Sequence, residues 1–176
     1  MGKSALGERL LLQGVPWLTT DVLRTVLRQV LARVDVADTD PVELDDLAEA
    51  MYPHLERMAD AAVDQYGTVL IEGFEWLPRH VVRLREGVGV PVRAVFIGHR
   101  TFSAADLLNY AGNHRWHDRV SPERLQALPP WIRRASDHLA AECEETGERY
   151  LDLGELGFAA LMDAATASLR SEAPRM

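Results

Sequence analysis

Three short segments constrain the fold more than anything else in the chain: residues 68–72 (TVLIE), 92–98 (VRAVFIG) and 150–153 (YLDL). Each is apolar over most of its length instead of alternating apolar with polar. A strand of that kind buries both faces, and such strands separated by helices indicate a parallel sheet covered on both sides. A fourth short run, residues 15–20 (VPWLTT), carries Pro16 at its edge and reads as a further strand. The expected strands are 16–19, 68–72, 92–97 and 150–153.

Helical periodicity fills the intervals. Residues 4–13 carry Leu6 and Leu10 four apart, with Gly14 as the stop. Asp21 can cap a helix whose apolar stripe is Val22, Leu23, Val26, Leu27, Val30, Leu31 and Val34. After an acidic loop, Pro41 opens a long helix with apolar positions Leu44, Leu47, Met51, Leu55, Met58, Ala62 and Tyr66, ended by Gly67. Pro53 is expected to kink or break it. A short helix follows Pro78. Between 99 and 148 the expectation is a helix from Ser103, a loop over 112–121, and helices entered at Ser121 and Pro130. A last helix spans 156–169. The 176 residues suit one domain with a core of its own.

Charge and composition exclude several classes of function. The net charge of −8 repels phosphate backbones, so no nucleic-acid partner is expected. No apolar run reaches the ~18 residues needed to span a bilayer, so no membrane partner is expected, and the default location is cytoplasmic. Cys143 is the single cysteine. It lies among Glu142, Glu144 and Glu145, which disfavour a thiolate and hence a nucleophile. His114 and His117 have a spacing that could face one metal, but no HExxH-type pattern accompanies them. Oligomeric state is open.

Ligands of parallel sheets bind at the carboxyl ends of the strands. Gly2-Lys3-Ser4, Asp21, Glu72 and His99-Arg100 all fall at that edge. Gly2-Lys3-Ser4 is the end of the phosphate-binding pattern G-x-x-x-x-G-K-[ST], and it opens an amphipathic helix, as such a site requires. There Gly2 and Lys3 would hold the phosphates of a nucleotide, and the Ser4 hydroxyl would bind Mg²⁺. Ser4 also suits a plain helix cap. Glu72, an acid at the end of an apolar strand, could orient Mg²⁺ or contact substrate. Arg24 and Arg28 share a helix face near Asp21 and could grip an anionic acceptor, or simply face solvent.

The segment GKSALGERLLLQGVPWLTTDVLR resembles the opening of small-molecule P-loop kinases of the adenylate-kinase-like type, and GTVLIEG is similar to a later strand of that group. The closest likeness is to 2-phosphoglycerate-kinase-like proteins. The resemblance implies a three-layer P-loop NTPase fold, with a parallel sheet, helices on both faces and a helical lid over 99–147. It implies ATP and Mg²⁺ as cofactors and a small hydroxylated, possibly anionic acceptor. It further implies that Asp21 orients or deprotonates the acceptor hydroxyl, although Asp21 equally suits a helix cap, and that lid arginines such as Arg133 and Arg134 neutralise the transferring phosphoryl group. In that family a strand and a glycine-rich turn precede GKS, whereas only Met1 does here. The expectation is a gene start further upstream. The alternative is a truncated, inactive nucleotide-binding or interaction protein.

Overall fold

A computed structural model describes residues 3–28, 41–109 and 121–170. The order is α1 (Lys3–Leu11), β1 (Trp17–Thr19), α2 (Thr20–Arg28), α3 (Pro41–Tyr66), β2 (Leu70–Glu72), α4 (Pro78–Gly87) and β3 (Phe96–Gly98). It continues with α5 (Ala104–Asn109), α6 (Pro122–Thr146), β4 (Tyr150–Asp152), α7 (Leu153–Leu156) and α8 (Phe158–Arg170). The chain is α/β, and every strand pairing among the described residues is parallel. The four strands lie where the apolar runs predict them, each trimmed to three residues.

The strands form two separate two-stranded sheets, β1–β2 and β3–β4, where one continuous sheet is expected. Trp17, Leu18 and Thr19 pair with Leu70, Ile71 and Glu72. Phe96, Ile97 and Gly98 pair with Tyr150, Leu151 and Asp152. The two sheets nonetheless feed one core. Leu6 and Leu10 of α1 pack with Leu151, Leu153 and, from α8, Leu161, Met162 and Ala165. Leu70 of β2 and Ile97 of β3 both join that cluster.

Alternation along β3 and β4 shows that this pair is covered on both faces. Ile97 and Leu151 face the α1/α8 core, while their neighbours Phe96 and Tyr150 pack with Val81 of α4 and Leu139 and Cys143 of α6. Successive strand residues point to opposite faces, so helices lie on both sides of this pair. A third cluster joins Leu23 and Leu27 of α2 to Leu47, Met51 and Leu55 of α3, with Phe74 and Trp76 beside them.

Several local expectations need correction. α1 ends in a turn whose Val15 N–H reaches Leu10 O, with Gly14 at φ 83°, a closure that favours glycine as expected. Asp21 does not cap α2. That role falls to Thr19, whose Oγ1 accepts from the Asp21 N–H at 3.4 Å. Val22 is 64% exposed and off the apolar stripe. Tyr66 is also exposed. The continuation of α2 beyond Arg28 lies outside the described residues. α3 runs unbroken through Pro53, and α6 is one helix through Pro129 and Pro130, not two. In α3 buried residues flank the proline, Leu47 and Met51 before it and Leu55 and Ala59 after it, and this tertiary packing outweighs the lost hydrogen bond; in α6 the buried residues Ala135, Ser136 and Cys143 all follow the prolines, which stand in the first half of the helix.

Most of the described part of 99–147 is helical, as expected. α6 packs against β3, α4 and α3, so its inner face is core. No helix among the described residues is long and apolar enough to cross a membrane.

Candidate functional site

Because β1 and β2 are parallel and Thr19 pairs with Glu72, both strands end at the same edge. α1 begins at that edge. The result is a cleft of about 140 Å³ lined by Lys3, Ser4, Thr19, Asp21, Glu72, Gly73 and Phe74. Of the residues predicted from sequence, the fold thus brings Lys3, Ser4, Asp21 and Glu72 together.

Ser4 Oγ donates to Glu72 Oε1 at 3.2 Å. Glu72 Oε2 is buried and has no hydrogen-bond partner. Burial raises the Glu72 carboxyl above its usual range and outweighs the opposing influence of Lys3 and Ser4, while nearby Asp21 pushes the same way as burial. A half-buried acid with one orphan oxygen, next to a serine hydroxyl and a lysine, has the donor chemistry of a site for a hydrated divalent cation carrying phosphate. No group of three or more His, Cys, Asp or Glu suited to a metal occurs among the described residues. Mg²⁺ bound through a carboxylate, a hydroxyl, waters and phosphate oxygens does not require one.

The floor of the cleft is tightly packed. A side chain at Gly73 would overlap the Thr20 side chain, so only glycine lets the backbone after β2 pass this close to α2. The Thr20 hydroxyl donates to Glu75 Oε2, and both residues are fully buried. Arg24 reaches Glu75 Oε1 at 2.8 Å and Asp21 Oδ1 at 2.6 Å. Its guanidinium also lies 4.6 Å from the centre of the Phe74 ring. Thr19, Thr20, Phe74 and Glu75 are absent from the sequence prediction. The available signal was Glu75 itself, an acid between Phe74 and Trp76, where burial demands a partner.

Other predicted residues stand elsewhere. Arg133 Nη1 donates to Phe102 O at 2.7 Å, and Arg134 is exposed on α6; neither lines the cleft. His99 and Arg100 follow β3, on the other strand pair. There Asp152 accepts from the Arg100 and Gly154 amides, and Ser136 accepts from the His99 amide, which ties α6 and α7 to the strand ends. Gly2, the Arg28 side chain, His114 and His117 lie outside the described residues. Cys143 is buried, and burial, reinforced by Glu148 and Glu142, pushes its thiol up to about 12, in keeping with an inert cysteine.

Comparison with protein-family models, with curated proteins and with solved structures finds no match to this chain.

Proposed function

We propose that the cleft binds the phosphates of a nucleoside triphosphate with Mg²⁺, and that the chain transfers the γ-phosphoryl group of ATP to a small hydroxylated acceptor. The observation that carries this reading is the Ser4–Glu72 hydrogen bond at the head of α1, in one cleft with Lys3 and Asp21. Gly2 and Lys3 would hold the phosphates, helped by the amino end of α1. Ser4 and Glu72 would hold Mg²⁺, which when bound neutralises phosphate charge and aligns the transferring group. Asp21 would accept the acceptor's proton. In this reading the arrangement is a P-loop kinase-like site, and α5 with α6 would belong to its helical lid.

A second reading, nucleotide binding without turnover, is favoured by one observation: no arginine among the described residues lines the cleft. Phosphoryl transfer commonly uses such a cation at the developing charge.

Calorimetry with ATP, with and without Mg²⁺, followed by a turnover assay over an acceptor panel, separates these readings. Mg²⁺-dependent ATP binding lost in Ser4→Ala supports the site, and product formation selects the first reading. Absence of ATP binding removes both.

A further inference from the structure

Arg24 is placed by sequence as a grip for an anionic acceptor, yet its guanidinium is already committed. Nη1 lies 2.8 Å from Glu75 Oε1 and Nη2 lies 2.6 Å from Asp21 Oδ1. Its flat face rests on Phe74. Glu75 is fully buried, and its second oxygen takes the Thr20 hydroxyl. Withdrawing Arg24 toward an incoming anion would leave that buried carboxylate without its counter-charge, which is strongly unfavourable. The guanidinium is therefore a fixed bridge between α2 and the segment after β2. Its outer end fastens Asp21 at the cleft.

This bridge decides the charge that a ligand meets. Among the described residues lining the cleft, Lys3 is the cation, and Asp21 and Glu72 are the acids. Lys3, Ser4 and Glu72 gather at the head of α1, whereas Asp21 stands on α2 with 63% of its side chain exposed. A carboxylate or phosphate beside Asp21 would face like charge, and Arg24, held by the buried Glu75, cannot turn toward it. An ammonium group there would face opposite charge.

We infer that Arg24 and Glu75 are positioning residues that hold Asp21 at the cleft, and that the acceptor carries no negative charge beside its reacting hydroxyl, a hydroxylated amine being the best match. The word acceptor rests on the phosphotransfer reading; the charge preference does not.

The test uses three sugars of closely similar size: glucosamine, glucose and glucuronate. Each is titrated into the ¹⁵N-labelled chain while the amides of Thr19, Asp21, Gly73 and Phe74 are followed by NMR. Glucosamine is expected to bind at least about tenfold more tightly than glucuronate, a difference of about 1.4 kcal/mol. Asp21→Asn should abolish the preference. Arg24→Gln combined with Glu75→Gln removes both partners, so no buried charge is stranded, and it should also abolish the preference while the fold persists. Glucuronate binding as tightly as glucosamine, or no sugar shifting these amides, overturns the charge inference. An unchanged preference in the double variant overturns the positioning roles. A parallel Mg²⁺-ATP titration reads the phosphate site separately. Failure there with the sugar preference intact removes only the phosphotransfer reading.

Discussion

Ser4 and Glu72 stand 68 positions apart in sequence, and the Ser4 hydroxyl donates to the Glu72 carboxylate at 3.2 Å. The contact joins the first turn of α1 to the end of β2 and leaves the second oxygen of Glu72 buried and unpartnered. Such a group costs stability in the ligand-free protein.

That cost yields a prediction for Glu72→Gln. Burial raises the folded carboxyl above the ordinary 4.5, so between the two values the folded chain binds more protons than the unfolded one. Stability therefore falls as pH rises through 4.5 toward the folded value, and it stays reduced at neutral pH. Glutamine keeps an oxygen for Ser4 and removes the charge. Urea unfolding at pH 7 should show a gain of about 0.5–2 kcal/mol for the variant, accompanied by loss of Mg²⁺-dependent ATP binding. A less stable Glu72→Gln chain would mark the carboxylate as structural.

Lys3 gives a kinetic prediction. A lysine at the head of α1 supplies a point charge, and it counts most when charge shifts toward the leaving oxygen. Lys3→Ala should lower kcat/KM by ~10²-fold, roughly 3 kcal/mol of transition-state stabilisation, and weaken ATP binding by less. Turnover and calorimetry on the same preparations measure both quantities. Undiminished turnover would take Lys3 out of the site.

The acid side of the stability profile is predicted to depend on His80. This residue is fully buried, its Nδ1 accepts from the Leu77 amide at 3.4 Å, and Nε2 then donates to Glu49 Oε1 at 3.1 Å. Burial lowers its pKa below 6.5, against the pull of Glu49. Its neutral form thus supports the fold above pH 6.5, and that support is lost as pH falls from 6.5 through the lowered folded value. Glu49, held at about 2 chiefly by Arg79, adds a second loss as pH falls from 4.5 toward 2. Melting temperatures should decline as pH falls below 6.5 and decline further below 4.5, and His80→Gln should flatten the first decline only. An identical slope in that variant would assign the acid sensitivity to other groups.

Leu161 tests whether the two strand pairs fold as one unit. It is fully buried in the cluster that contains both Leu70 and Ile97. Leu161→Ala should cost about 2–5 kcal/mol, and unfolding should remain a single transition. Two separated transitions would show that the sheets hold together independently.

Much of the candidate site was legible before the fold. Lys3, Ser4, Asp21 and Glu72 were placed at one edge because parallel strands bring their carboxyl ends together, and they line one cleft. Arg24 was legible only as a charge on a helix face. Helical spacing says which residues share a face, but the buried Glu75 that claims Arg24 lies 51 positions away. The place of Arg133 is illegible for a similar reason: its partner is a backbone carbonyl at Phe102, and a carbonyl leaves no mark in side-chain pattern.

The sequence by itself determined the order of strands and helices and that the strands are parallel, because apolar runs and helical periods are local properties of the chain. It also determined that Gly67 would end α3, since a glycine there accepts the φ of 70° that closes the helix. Only the tertiary structure decided that the strands pair two by two, that α3 and α6 survive their prolines, and that Asp21 is fastened by Arg24 over a buried Glu75. Those outcomes depend on which surfaces meet after the chain closes long loops, and burial energy, unlike periodicity, belongs to pairs of surfaces brought together from distant parts of the sequence.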